Sequence, residues 1–271
     1  MSGTNITNLV SNVNTELVKV NEWIRKNKLS VNTDKTHYMI LSRKKPIPND
    51  LPLICIDGTP INKVDDTKFL GLTIDSKLSW REHISEVQKK IIKQCGILYH
   101  IRDSLTIKAM TQLYYSLVYP HITYCHVVWG GLSDHRLNPI NLSQKRFIRV
   151  LSYLKKYDHT NNAFSHLNIL KLKEVNEYCT ALFVYKSLSN PDDHMFTMRT
   201  NPHYNLRQST LLKLPAVQSA QSKSFIAFHG VKIWNILPED IRRAPSIPSF
   251  KRSLKKYLLS KYDSTVQGTV L

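Results

Sequence analysis

Ile6, Leu9, Val13, Leu17, Val20 and Ile24 recur every three or four residues, so a helix here gathers its apolar side chains on one face. Asn12, Glu16, Lys19 and Glu22 fall elsewhere, Ser2, Thr4 and Asn5 are suited to cap the first-turn amides, and the helix should end near Asn27. Such a stripe demands an apolar cover. Residues 29–75 offer only short strands for it. After the polar turn Asn32-Thr33-Asp34-Lys35, the run His37–Leu41 has the apolar continuity of a buried strand, closed by Arg43-Lys44-Lys45-Pro46. Leu53–Ile56 and Ile61 flank Asp57-Gly58, a dipeptide that takes the positive φ values of a tight hairpin turn. Lys68–Ile74 reads as one further strand, in which Gly71 marks a bulge or a backbone that something else approaches closely.

From residue 78 the pattern is helical. Trp80, Ile84, Val87, Ile91, Cys95 and Leu98 form one apolar stripe, with Lys89, Lys90 and Lys93 mostly off it. A second helix runs from about Thr106 to Tyr119, where Pro120 should end it, and two more follow at about 138–152 and 172–188. The rest is divided by prolines, with short helices expected at Phe225–Trp234 and Phe250–Leu259.

The 271 residues carry 38 Lys plus Arg against 20 Asp plus Glu, a formal charge of +18. Residues 1–75 hold 10 basic and 8 acidic side chains, residues 76–190 hold 16 and 7, and residues 191–271 hold 12 and 5, so the excess lies after residue 75. Such a chain favours polyanions, whose condensed counterions are released when Lys and Arg bind. No apolar run is long enough to span a bilayer, and the N-terminus lacks a basic flank followed by an apolar run, which points to an intracellular chain, nuclear or cytoplasmic. Arg43-Lys44-Lys45 is too short to serve as a nuclear signal. Cys55, Cys95, Cys125 and Cys179 form no C-x-x-C pair, so reduced thiols are expected rather than disulfides or a zinc ribbon.

Glycine-rich phosphate loops and the G-x-S-x-G nucleophile motif are absent. Asp65-Asp66 is the one adjacent carboxylate pair near the strands, but turn chemistry before a strand explains it better than metal binding. His121 to His126, with His100 and His135, has no spacing of a closed metal site, and packing explains it better. Basic residues mixed with aromatics at 144–149, 152–157 and 250–257 are more telling, since phosphates can be met on such faces while the aromatics pack inward. Lys145, Arg146 and Arg149 belong to the first of these.

Trp23-Ile24 through Asn27-Lys28-Leu29-Ser30-Val31-Asn32-Thr33-Asp34-Lys35-Thr36 resembles the W-x(3)-N-x-L-x-x-N-x-x-K-T segment of reverse transcriptases from jockey-like non-long-terminal-repeat retrotransposons. Phe69-Leu70-Gly71-Leu72-Thr73-Ile74-Asp75, with Leu78, Trp80, His83 and Ile84, resembles that family's F-L-G-x-x-x-D-x-x-L-x-W-x-x-H-I block. Tyr119-Pro120 through Tyr124, Val128-Trp129-Gly130, Tyr204-Asn205-Leu206-Arg207, Trp234 to Pro238 and Phe250-Lys251 are similar to later stretches of these elements. The family's catalytic Y/F-A-D-D motif would precede the helix at Ile6, and these residues do not contain it.

The resemblance implies an α+β fold: a palm remnant at 1–75, built from the first helix and a small antiparallel sheet, a helical thumb-like region at 76–190, and a Pro-punctuated helical tail at 191–271. It implies that Lys35 lies near the incoming nucleotide's phosphates with Asn32 shaping the turn, that Phe69, Leu70 and Gly71 form the primer grip, and that Lys89, Lys90 and Lys93 are available to the duplex. The expected function is that of a reverse-transcriptase fragment, inactive alone and at most nucleic-acid binding, with no cofactor of its own and Mg²⁺ belonging to the parent polymerase. Its partners would be RNA or an RNA/DNA primer-template and the missing N-terminal polymerase half, whose strands would cover the sheet edge and the apolar helix face. A host-retained interaction module, or a fragment with no selected role, is the alternative.

Overall fold

The computed structural model describes residues 1–3, 5–42, 48, 51–199, 210–217 and 219–266. Two compact units emerge, Met1–His83 and Ile84–Leu271, and the architecture is α+β.

In the first unit α1 (Ile6–Lys26) begins where Asn5 accepts hydrogen bonds from the amides of Thr7 and Asn8, at 3.0 and 3.2 Å. Among the described residues six short strands follow: β1 (His37–Tyr38), β2 (Cys55–Ile56), β3 (Thr59–Pro60), β4 (Asn62–Lys63), β5 (Asp66–Phe69) and β6 (Leu72–Asp75). Rather than one antiparallel sheet they form three two-stranded ladders, of which β1 with β4 is parallel. The expected strand at 37–41 is therefore limited to His37 and Tyr38. The Asp57-Gly58 hairpin forms as read, with φ values of 54° and 73°.

Val10 of α1 packs with Ile54, Ile56 and Ile61, and Val13, Leu17, Val31 and Tyr38 close over them. The edge of the 53–55 segment is satisfied from α1 itself: Asn14 donates to the Leu53 carbonyl at 2.8 Å and accepts from the Cys55 amide at 3.0 Å. Much apolar surface stays open, however, with Val18, Val20, Trp23, Leu29, Leu41 and Leu53 all exposed.

The expected single strand at 68–74 is instead the hairpin β5–β6. Leu70 and Gly71 both take positive φ, 46° and 82°, and Phe69 pairs with Leu72 across a two-residue turn. The glycine is a turn residue, and a bulge is not what it makes.

The second unit contains most of α2 (Arg81–Ile101), whose stripe Ile84, Val87, Ile91, Cys95 and Leu98 is buried as its spacing requires. Next come α3 (Ile107–Leu113), a π-helical turn at Tyr114–Val118 and α4 (Tyr119–Thr123). Pro120 does not end this helix. It falls in the first turn of α4, where its missing N–H costs no hydrogen bond, and the widened turn before it takes up the change of register. A short α5 (His126–Trp129) leads to α6 (Asp134–Leu151), which starts about a turn earlier than expected and carries Pro139 inside it. The remainder is α7 (Asn161–His166), α8 (Leu172–Leu188), α9 (Ala220–Ser224), α10 (Ile226–Ile236), α11 (Glu239–Arg242) and α12 (Ile247–Val266).

Helix α8 is the hub, packed by α4, α5, α6, α10 and α12. Tyr185 on α8 stacks on Phe250 of α12 at 4.2 Å and donates to the Ala244 carbonyl at 2.7 Å. Among the described residues no helix is long and apolar enough to cross a membrane.

Candidate nucleic-acid interface

The turn before β1 explains the N-x-x-K-T spacing. Asn32 Oδ1 accepts the Lys35 amide at 3.1 Å, and Thr36 Oγ1 donates back to the Asn32 carbonyl at 2.7 Å. A single 3₁₀ turn, Thr33–Lys35, is thereby closed at both ends, and the Lys35 side chain stands exposed on it. The next residue but one, His37, joins this turn to the β5–β6 hairpin through a 2.6 Å hydrogen bond between its Nε2 and Thr67 Oγ1. At the hairpin's tip Phe69 and Leu70 are 61 % and 74 % exposed, far from the core role that two large apolar residues would ordinarily take.

Behind the hairpin, Asp75 organises the chain into α2. Its carboxylate accepts from the amides of Lys77, Ser79 and Trp80 and from the Ser79 hydroxyl, at 2.8 to 3.2 Å. Burial opposes ionisation, but these four hydrogen bonds outweigh it and hold the carboxyl below the usual carboxylate range. Trp80 is buried and meets His83 edge-on at 6.1 Å.

In the second unit Lys89, Lys90 and Lys93 are exposed on α2. The α6 cations divide. Arg146 is exposed and close enough to Cys95 to counter the burial that pushes that thiol up to about 11. Arg149 is half-buried and donates from Nε to the Asp158 carbonyl at 3.1 Å, so it braces the 152–158 turn. Lys145 is half-buried near Lys171, whose ammonium is lowered by burial and by the Lys145 charge, against the pull of Glu174. In the 250–257 cluster Phe250 and Leu254 are core, Lys251, Arg252 and Lys256 are exposed, and Lys255 lies over the Tyr115 ring at 5.4 Å. Arg43-Lys44-Lys45 and Tyr204–Arg207 lie outside the described residues.

His126 is buried, Nδ1 lies 2.8 Å from the Ile122 carbonyl, and burial pushes its pKa down to about 4. Its ring packs at 4.4 Å on Trp129, whose indole donates to the Tyr124 carbonyl at 3.1 Å. Among the described residues no three His, Cys, Asp or Glu side chains gather as a metal ligand set. Asp65 and Asp66 are exposed, and Asp75, opposite Asp66 in the ladder, is occupied by its own turn, so these carboxylates do not fit a magnesium pair.

Arg102 escaped the sequence reading. Its guanidinium lies 4.7 Å from the ring centroids of both Tyr99 and Tyr153. The Tyr99–Arg102 spacing on one helix face was the available signal; Tyr153 comes from 51 residues further along.

Three curated relatives share this sequence's pattern. An RNA-directed DNA polymerase from mobile element jockey of Drosophila funebris is 25 % identical over 154 residues, 56 % of this chain. Probable RNA-directed DNA polymerases from transposons BS and X-element of Drosophila melanogaster are 24 % and 20 % identical over 155 and 137 residues, 56 % and 49 % of this chain. About half of this chain is homologous to jockey and related transposon polymerases. The matched segments span 15–17 % of those relatives' own length. No family model and no solved structure matches the chain. Several residues that carry the jockey resemblance act on the fold: Asn32 closes a turn, Asp75 closes another, and Trp80 and Trp129 are buried.

Proposed function

We propose that these residues form a duplex-holding portion of a transposon RNA-directed DNA polymerase, which binds an RNA/DNA primer-template and does not add nucleotides by itself. The observation that carries this reading is the β5–β6 tip, where Phe69, Leu70 and Gly71 stand in solvent at the one segment whose sequence matches the family's F-L-G block. A backbone of positive φ with no Cβ at Gly71 admits a sugar-phosphate strand closely. Lys35, exposed on its capped turn, would meet phosphates of the incoming nucleotide. Lys89, Lys90, Lys93, Lys145 and Arg146 would hold the duplex backbone, while Arg149 braces the 152–158 turn. The two Mg²⁺ of the polymerase reaction would be held by carboxylates other than Asp65, Asp66 and Asp75.

Titration of the whole chain with a fluorescent RNA/DNA hairpin at several salt concentrations tests the reading. Replacing Lys89, Lys90 and Lys93 by Ala should weaken binding and flatten the salt dependence by about one unit of slope for each phosphate left without its cation. An unchanged slope overturns their assignment, and primer extension by the purified chain with Mg²⁺ overturns the claim of inactivity.

A second reading has its own support in the exposed Val18, Val20, Trp23, Leu29, Leu41 and Leu53. These would be covered by a protein partner, the rest of the polymerase in the leading reading or a host protein in the alternative. Salt-insensitive binding to a protein, with no binding to the hairpin, would favour the host-retained module.

A further inference from the structure

We propose that the second unit also carries a site for an unpaired nucleotide, formed by a cavity between α6, α7 and the start of α3 and by the Tyr99–Arg102–Tyr153 cluster beside it. This rests on the nucleic-acid reading above and adds a second ligand form, single-stranded RNA or DNA. The cavity has a volume of about 490 Å³, within the roughly 300–1,000 Å³ of small-ligand sites. Leu151, Leu154 and Leu167 give it apolar walls suited to the faces of a base. His159, Asn162 and His166 line it too, and imidazole and carboxamide groups match the mixed donors and acceptors on a base edge.

The surroundings offer aromatic rings and cations, with the Asp103 carboxylate 3.7 Å from Arg102 Nε. Tyr153 lies between two wall residues, Ser152 and Leu154, with φ at 55° and its hydroxyl bonded to the Arg102 carbonyl at 3.0 Å. That hydrogen bond and the guanidinium over its ring fix a half-exposed aromatic surface next to the cavity wall, and the same guanidinium lies over Tyr99, which is also exposed. Tyr157, 84 % exposed, has Lys156 over its ring at 5.2 Å, and Lys155 is exposed two positions before it. Exposed aromatics interleaved with cations are what single strands stack on and neutralise against. A paired base cannot enter a cavity of this kind, because its edge and faces are taken by its partner and neighbours. The site therefore discriminates single strand from duplex, which the lysines of α2 do not.

The test uses the whole chain with two probes, a fluorescent oligouridine and the fluorescent RNA/DNA hairpin, at one salt concentration. Asn162→Ala with His166→Ala removes the base-edge partners from two exposed positions, and Ala163→Leu, a separate variant, narrows the cavity. Each should weaken oligouridine binding roughly tenfold, about the loss of one stacked base, and leave hairpin affinity unchanged. Photo-crosslinking of thiouridine-substituted oligouridine should label peptides within 151–167. Unchanged oligouridine affinity in both variants, equal loss for both probes, or crosslinks only outside that segment overturns the site while the duplex reading stands. If the parent chain binds neither probe, both readings fall.

Discussion

Asp75 Oδ2 accepts the backbone amide of Trp80 at 2.8 Å, and by that bond a carboxylate at the end of a strand holds a tryptophan whose φ is 61°. A bulky residue in left-handed backbone is strained, and Leu78 beside it, at 50°, adds to the cost. The D-x-x-L-x-W spacing thus answers to a turn that only a multiply accepting side chain can hold together. Asp75→Asn should destabilise the chain by about 1–2 kcal/mol at neutral pH, as expected for a lost charged cap. Because the folded carboxyl titrates below its unfolded value, its stabilisation is complete above the ordinary carboxylate pKa and is lost as pH falls through the lower folded one. Urea unfolding across the acid range should therefore show a shallower loss of stability in Asp75→Asn than in the parent.

The buried Gln144 is a different kind of dependence. Its Nε2 donates to the Tyr114 hydroxyl at 2.8 Å and to the Leu170 carbonyl at 2.9 Å, joining α6 to the π-helical turn and to the segment before α8. Gln144→Leu leaves the Leu170 carbonyl without this donor in the interior and should cost about 1–3 kcal/mol. Tyr114→Phe removes one bond but keeps the packing, so chemical denaturation should rank it clearly milder.

Those interactions show which features a sequence can reveal. The stripe of α2 and the Asp57-Gly58 turn were legible because each is a local choice, a period or a dipeptide, that tertiary structure left alone; α1 forms where its period placed it, but its one buried residue is Val10, outside the expected stripe, and Val20 within that stripe is exposed. The β5–β6 turn was not, since Leu70 has no intrinsic preference for positive φ and Gly71 alone fits a bulge as well as a turn. Pro120 misled because a proline reports only a missing donor, and the π-helical turn upstream puts it where no donor is needed. In the candidate interface the exposed lysines of α2 followed from its stripe. By contrast, the bracing role of Arg149 depends on the Asp158 carbonyl, which lies beyond the helix that carries the arginine.

Gly131 tests close packing where no positive φ is involved. A Cβ there would lie 2.1 Å from the Ser224 carbonyl oxygen, a backbone atom that cannot swing aside. Gly131→Ala should force the 131 and 224 segments apart and lower stability by about 1–3 kcal/mol, seen as a lower melting temperature. Gly96→Ala, whose added methyl meets nothing within 4 Å, is the matched control and should be neutral or stabilising, since it sits within α2.

The hairpin tip separates stability from binding more directly than any other position. At Leu70 the native φ of 46° strains an L side chain, and Leu70→Asn, which tolerates that region, should raise stability by a few tenths of a kcal/mol. Gly71→Ala at φ 82° should lower it by about 1 kcal/mol. If the tip holds a primer strand, Gly71→Ala also interposes a methyl between that strand and the backbone, so hairpin affinity should fall at temperatures where the variant is fully folded. Leu70→Asn, by removing apolar surface without obstructing the backbone, should change affinity less. Equal affinities for the parent and Gly71→Ala, measured well below its melting temperature, would remove the tip from the binding surface and leave the exposure of Phe69 and Leu70 to be explained by a protein partner.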